Sequence, residues 1–201
     1  MSKIITCLDA KGGDEEMADI IAKENETGKI IVRGYDKEGR ANMYLRPSNE
    51  NTKEMENHMR HLTYNIERAA ACTKRNSNGL EKINIFIDYQ CYSLADAPSL
   101  AETKYTLTIL QDHYPEILHR GYICNPPRIF RIFWSLAKPF INPKTKEKIV
   151  FLYGEDGKKK AEKVFNLETM EACAFGSKDL RPFHSKEYIR YVQFDHTFDE
   201  K

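Results

Sequence analysis

The stretch that decides the fold is NPPRIFRIFWSLAKPFINPKTKEKIVFLY, residues 125–153. Between its proline breaks lies one helix-length segment whose apolar residues recur at almost every angle round the helix axis. Such a helix is either fully buried or faces something apolar that is not protein. It is followed by Asn142-Pro143, a helix-start signal, and by several lysines around the hydroxyl of Thr145. An apolar helix followed by a polar segment rich in lysine predicts a binding site for a lipid.

Composition limits the classes of function that are open. The chain has 201 residues and a net charge of +1, from 31 basic and 30 acidic side chains. That balance argues against binding driven by counterion release, so no nucleic-acid partner is expected. No apolar run approaches the ~20 residues that span a bilayer, and the apolar start at residues 4–8 is too short for a secretory signal. Five cysteines without a CxxC pair indicate reduced thiols, and hence a cytoplasmic protein.

Strand-length apolar runs alternate with helical patterns along the chain. The clearest helix is Thr52 to Ala71, where apolar residues recur every three or four positions and Thr52 is expected to be the N-cap. The other predicted elements are helices at 14–23, 98–114 and 127–138, strands at 29–32, 42–45, 83–87, 122–124 and 149–153, and helical pieces at 158–164, 167–172 and 185–193. Strands separated by single helices predict an α/β fold with a mixed, largely parallel sheet.

Catalytic and metal motifs are absent from the sequence. There is no GxSxG nucleophile elbow, and residues 154–158 lack the spacing and the Ser or Thr of a phosphate-binding P-loop. His58 and His61 share one helix face, but no further residues complete a recognisable ligand set, so a solvated helix face is favoured. The sequence therefore predicts neither an enzyme nor a metal or other cofactor.

Several short motifs occur in an order that resembles one family. They are Tyr35 to Arg40, Phe86 to Tyr89, Tyr114-Pro115-Glu116, Asn125-Pro126-Pro127 and Lys138 to Ile149. In this order the chain resembles CRAL-TRIO lipid-binding domains of the phosphatidylinositol transfer protein type. Residues 29–201 are then expected to form this domain, with residues 1–28 as an N-terminal arm or short helix. The N-terminal helical domain usual in the family is not expected in this chain.

The resemblance implies an apolar lipid cavity with the sheet as its floor, closed by a mobile gate helix from Pro127 to about Ile141. It also implies a lipid headgroup site at Glu116, Thr145 and Lys148. Asn142 can cap the turn that carries Thr145, which exposes free N–H groups to a phosphate. The residues expected to form the cavity and the gate are Phe130, Phe133, Trp134, Ala137, Phe140, Ile141, Ile83, Ile85 and Tyr105.

One departure from the family pattern bears on the choice of lipid. Members that also carry phosphatidylcholine tend to have Ser and Thr at the positions that Ile83 and Ile85 occupy here. The loss of those hydroxyls predicts weak binding of phosphatidylcholine or none. Arg128, Arg131 and Lys138 flank the gate helix, and a basic rim around an apolar helix suits transient docking at an anionic membrane.

Three functions remain open on the sequence. The favoured one is a cytoplasmic, peripherally membrane-associated protein that binds a phospholipid, phosphatidylinositol first, and transfers or presents it. The second is a non-transferring CRAL-TRIO module for protein interaction or regulation. The third is an enzyme, which would need a cleft with perturbed acid–base groups, and no motif suggests one. A carrier of another apolar ligand, such as an isoprenoid or a tocopherol-like molecule, is a variant of the first. The protein partner is unknown.

Overall fold

The alternating pattern folds into five strands and seven helices among the residues that the structure describes. It is a computed structural model that describes residues 15–93, 99–114, 116–128, 130–178 and 184–190, without the side chains of Glu15, Leu100, Glu102, Ile109, Arg131, Phe133, Lys186, Glu187 and Arg190. The strands are β1 (Ile30–Tyr35), β2 (Ala41–Leu45), β3 (Ile83–Asp88), β4 (Leu118–Cys124) and β5 (Ile149–Leu152). The helices are α1 (Glu15–Glu24), α2 (Met55–Asn76), α3 (Leu100–His113), α4 (Phe130–Ala137), α5 (Pro143–Lys146), α6 (Gly154–Val164) and α7 (Ser185–Arg190).

The five strands form a single sheet in the order β1-β2-β3-β4-β5. The β1–β2 hairpin is antiparallel, whereas β2, β3, β4 and β5 are parallel to their neighbours. A parallel pair needs a long crossover, and α2, α3 and the segment containing α4 and α5 supply these crossovers. The predicted mixed, largely parallel α/β fold is confirmed.

Strand alternation divides the core between the two faces of the sheet. One face carries Ile83 and the other Phe86, because successive side chains of β3 point to opposite sides. The Ile83 face is covered by α2, whose apolar stripe lies in the core. The members of that stripe are Met59, Leu62, Ile66, Ala69 and Cys72. The stripe has the three-and-four spacing that the sequence predicted.

The opposite face is built on stacked aromatic rings. The ring of Phe86 lies 4.8 Å from that of Tyr44 and 4.6 Å from that of Tyr122, between centroids. Phe165, directly after α6, lies 5.3 Å from Phe86 and from Tyr122. Aromatic pairs of this kind are worth about 0.5–1.5 kcal/mol each beyond burial. This face of the sheet is therefore closed by packed side chains.

The first and last described helices, α1 and α7, pack together against α2. Ile21 of α1 and Tyr188 of α7 belong to one apolar cluster with Tyr64. The Tyr188 ring lies 3.9 Å below the Arg68 guanidinium carbon, and its hydroxyl donates to Asn65 Oδ1 at 2.8 Å. The predicted short helix near the N-terminus is thus present and packed onto the rest of the fold. The division at residue 28 stays a prediction.

Several predicted element boundaries were wrong, and two of them concern α2 and the gate segment. Helix α2 begins at Met55 after Glu54, which makes no side-chain cap, and Thr52 is not its N-cap. The Thr52 hydroxyl instead donates to Glu24 at 2.7 Å and accepts from Lys29 at 3.0 Å, because a buried ion pair at the end of α1 recruits it. The gate segment is also shorter as an α-helix: α4 spans Phe130–Ala137 and continues as a 3₁₀ turn from Lys138 to Phe140, where Pro139 lacks the helical N–H.

Candidate functional site

Three charged residues meet at the amino ends of three neighbouring parallel strands. Lys82 and Lys148 directly precede β3 and β5, and Glu116 lies two residues before β4, the strand between them. Glu116 Oε2 accepts from Lys82 Nζ at 3.2 Å and from Lys148 Nζ at 3.5 Å. We call Lys82, Glu116 and Lys148 the charged cluster. The strand order thus places one carboxylate between two ammonium groups.

The backbone at Glu116 takes the left-handed conformation, with φ of 67°. Such a φ is uncommon for a residue with a Cβ and favours glycine or asparagine. Hydrogen bonding from Lys82, followed by the charge of Lys148, lowers the pKa of the Glu116 carboxyl. Glu116 therefore holds its negative charge throughout the neutral range.

The turn that carries Thr145 is built as the sequence predicted. Asn142 Oδ1 accepts from the backbone N–H of Lys144 at 2.9 Å, so Asn142 caps α5 with Pro143 at its first position. The N–H of Lys148 then donates to the Thr145 carbonyl at 3.0 Å. The Lys148 carbonyl accepts from Gly121 N at 3.0 Å, which anchors this turn to β4.

The structure therefore brings two of the three predicted headgroup residues into direct contact. Glu116 and Lys148 form an ion pair, and Thr145 lies half-buried one turn before Lys148. Lys82 is the member of the cluster that the sequence analysis missed. Its only signal was a position directly before a predicted strand, and nothing local links it to a residue 34 positions away.

Helix α4 presents two different faces. Phe130 is 3% exposed, and its ring lies 4.5 Å from Tyr89 and 6.4 Å from Phe151 of β5. Trp134 follows one turn later and meets the Phe151 ring edge-on at 5.8 Å. Ile132 and Leu136, by contrast, are 60% and 55% exposed. We call this exposed pair the α4 outer face.

The remaining predicted gate residues lie around the ends of this helix. Ala137 and Ile141 are buried, whereas Phe140 is half-buried below Lys104, whose Nζ lies 5.8 Å from the ring centroid. The side chain of Phe133 lies outside the described residues. The predicted gate thus carries both buried and exposed apolar groups.

Two of the predicted cavity residues differ strongly in exposure, and their role in a cavity stays a prediction. Ile83 has no exposed surface and packs in the same apolar cluster as the α2 stripe. Tyr105 is 51% exposed on α3. Ile85 is half-buried beside the same apolar cluster as Ile83.

A second residue that sequence reasoning missed ties the gate to α3. Gln111 Nε2 donates to the Phe140 carbonyl at 3.3 Å, and its Oε1 accepts from Asn142 N at 3.0 Å. One side-chain amide therefore satisfies both backbone groups at the carboxyl end of the gate, between the 3₁₀ turn and α5. We call this pair of hydrogen bonds the Gln111 clamp.

One group of potential metal ligands occurs among the described residues. Glu24, Glu50 and His58 place one ligand atom each within 4.8 Å of one another. Lys29 Nζ already contacts Glu24 at 2.6 Å and Glu50 at 2.5 Å, so the lysine ammonium group offsets one of the two negative charges and takes the place between them. Burial works to raise the pKa of Glu50, but hydrogen bonds from His58 and Lys29 outweigh it and hold the pKa well below its usual range. This group is a buried ion-pair network that joins α1 to the sheet.

Within the described part of the chain, no helix combines the length and the apolar character that crossing a bilayer requires.

Comparison with known proteins agrees with this architecture. The family profile of the CRAL/TRIO domain matches residues 25–174. The chain is 39% identical over 133 residues to the CRAL-TRIO domain-containing protein C23B6.04c of Schizosaccharomyces pombe. The matched region covers 66% of this chain and 13% of that protein. It is 33% identical over 143 residues to the phosphatidylinositol transfer protein PDR17 of Saccharomyces cerevisiae, covering 69% and 40%. The chain thus spans less than half the length of either relative.

A solved structure shows the same fold. The crystal structure of Sfh5 superposes with a TM-score of 0.59 at 18% identity, over 95% of this chain and 69% of that one. At this identity the likeness concerns the fold alone. The family profile, however, covers well over half of the chain, and the chain belongs to the CRAL-TRIO domain family.

Proposed function

We propose that this chain is a lipid-binding and lipid-transfer module that holds one phospholipid, phosphatidylinositol first, and exchanges or presents it at membranes. The observation that carries the proposal is the pairing of Glu116 with Lys148 at 3.5 Å, in a chain whose helix α4 exposes two large apolar side chains. Membership of the CRAL-TRIO family supports it, as do relatives named as phosphatidylinositol transfer proteins.

The charged cluster has the chemistry of a phosphoinositol headgroup site. Lys148 supplies a cation to a phosphodiester, and Glu116 supplies an acceptor to inositol hydroxyls. Hydrogen bonds between charged groups are roughly twice as strong as neutral ones, so this pair can orient a headgroup. Thr145, on the turn just before, adds a hydroxyl donor. In this proposal no cofactor takes part, and the bound lipid is cargo rather than substrate.

Phosphatidylcholine is proposed to be a poor ligand. Ile83 and Ile85 offer no hydroxyl to a buried phosphate, and a buried charged group without a partner costs several kcal/mol. The protein is proposed to act in the cytoplasm and to meet anionic membranes transiently, with residues 29–201 as the lipid-binding unit.

The first test is mass spectrometry of lipid extracted from protein purified without detergent. Phosphatidylinositol at close to one molecule per chain is the expected result. An extract without any lipid would instead favour an interaction module, and an isoprenoid or tocopherol-like compound would favour the carrier of an apolar ligand.

The second test is a transfer assay between vesicles with Lys148→Ala. We expect phosphatidylinositol transfer to fall roughly 10- to 100-fold, the effect of losing one charge-assisted hydrogen bond. The fold should persist because partly exposed ion pairs add little stability. Lys159→Ala is the control, because Lys159 is an exposed lysine on α6 and is not part of the charged cluster. Unchanged transfer by Lys148→Ala would reject the assignment.

A further inference from the structure

The charged cluster contains one more cation than a lysine–glutamate pair needs. Lys148 and Glu116 alone sum to zero charge, so a phosphodiester placed between them would meet no net attraction. Lys82, on the same carboxylate oxygen at 3.2 Å, brings the sum to +1. The cluster is thus an excess positive charge held at one edge of the sheet.

The charged residues next to Lys82 and Glu116 have partners outside the charged cluster. Glu81, the residue before it, pairs with Lys74 at 3.6 Å rather than with Lys82. On the β4 side, Arg120 donates to the Glu147 carbonyl at 3.1 Å, and burial with the charge of Arg40 lowers the pKa of His119. The Lys82 side chain is 45% exposed, so its ammonium can reach an incoming ligand while its stem stays on the protein.

We propose that Lys82 is a specificity-determining residue of the headgroup site, which makes the site select an anionic phospholipid over a zwitterionic one. An anionic headgroup brings a charge of −1 to a site of +1. The choline headgroup adds a quaternary ammonium that cancels its phosphate and is repelled by both lysines. This inference rests on the proposed function, because it needs the headgroup to lie at the charged cluster.

The experiment measures the ratio of phosphatidylinositol to phosphatidylcholine transfer in a charge series at one position. We expect Lys82→Arg to keep the wild-type ratio, Lys82→Ala to lower it about three- to fivefold, and Lys82→Glu to lower it further. Equal ratios in the Arg, Ala and Glu variants would overturn the proposal, as would equal losses for both lipids.

A double variant separates direct attraction from support of Glu116. In a Glu116→Gln background, Lys82→Ala should still lower the ratio, because the lysine acts on the phosphate itself. If Lys82→Ala has no further effect there, Lys82 merely positions Glu116 and the proposal fails. Binding of soluble inositol 1-phosphate should be weak and show the same order of variants if the phosphate is that of a lipid headgroup. Tight binding of inorganic phosphate in its place would overturn the lipid assignment.

The two proposals fail in different ways. A wild-type protein that carries and transfers no phospholipid rejects the proposed function, and this inference with it. A wild-type protein whose phosphatidylinositol transfer depends on Lys148, but whose lipid preference ignores the charge at residue 82, rejects this inference alone.

Discussion

The α4 outer face gives the sharpest quantitative prediction. Ile132 and Leu136 lie one turn apart and expose 60% and 55% of their surface, which is unusual for large apolar side chains in one place. We expect this pair to enter the interfacial region of an anionic membrane when the protein docks. The double substitution Ile132→Ser with Leu136→Ser removes the apolar surface and adds no charge.

The magnitude follows from the exposed fractions. Full burial of an isoleucine or leucine side chain is worth about 1.5–3 kcal/mol. With 60% and 55% of that surface still in water, membrane insertion gains roughly 1–1.5 kcal/mol per residue, or about 2–3 kcal/mol together. Since each 1.4 kcal/mol is a factor of ten, the double variant should bind vesicles about 30- to 150-fold more weakly.

The assay is flotation with vesicles that contain an anionic phospholipid, combined with a thermal melt of each variant. Exposed substitutions usually change stability by less than about 0.5 kcal/mol, so the melt should barely move. Tyr153→Ser is the matched control, because Tyr153 is 63% exposed but lies before α6 and not on the gate. A loss of binding below about threefold, or an equal loss in the control, would refute the reasoning, since the estimate above starts at 30-fold.

Three further predictions concern motion and pH. Gln111→Ala breaks the Gln111 clamp, so lipid exchange should become severalfold faster in a vesicle assay, and an unchanged exchange rate would show that the clamp does not limit opening. Backbone amides of α4 should exchange hydrogen faster than those of β3, and faster still with anionic vesicles; if both elements exchange equally slowly, α4 is an ordinary core helix and not a gate. Burial, and then the charge of Lys29, lowers the pKa of His61 well below its ordinary value, and neither ring nitrogen has a hydrogen-bond partner among the described residues. The unfolded chain therefore binds the proton first, and this contribution to stability is complete above about pH 6.5 and declines as the pH falls. Between pH 7 and 5.5 the wild type should lose about 1 kcal/mol of unfolding free energy through this group, measured by denaturant titration, and His61→Leu should lose correspondingly less; an equal loss in both proteins would contradict the assignment.

Much of the fold could be predicted because local patterns carry it. The alternation of strands and helices and the Asn142 cap on α5 both depend on residues within one turn or one strand. The order of short motifs then indicated the family and predicted that Glu116 and Lys148 belong to one site. The two residues form an ion pair in the structure.

Contacts between distant residues were decided only by the tertiary structure. Thr52 has the local features of an N-cap, but a buried ion pair from the end of α1 takes its hydroxyl. The contact of Lys82 with Glu116 follows from the strand order, because β4 lies between β3 and β5 and brings Glu116 between two lysines. Local sequence patterns predict neither hydrogen bond, since both bonds join chain segments more than 25 residues apart.

The gate helix shows the same division within one segment. The sequence of the gate helix places apolar residues on nearly all of its sides, so one contact with the rest of the protein cannot cover all of this apolar surface. Which side of the helix is covered depends on the positions of β5 and Tyr89. Phe130 and Trp134 pack against them, whereas Ile132 and Leu136 stay exposed. A helix that is apolar on every side carries no local signal of its direction, so only packing against the sheet could choose the face that water meets.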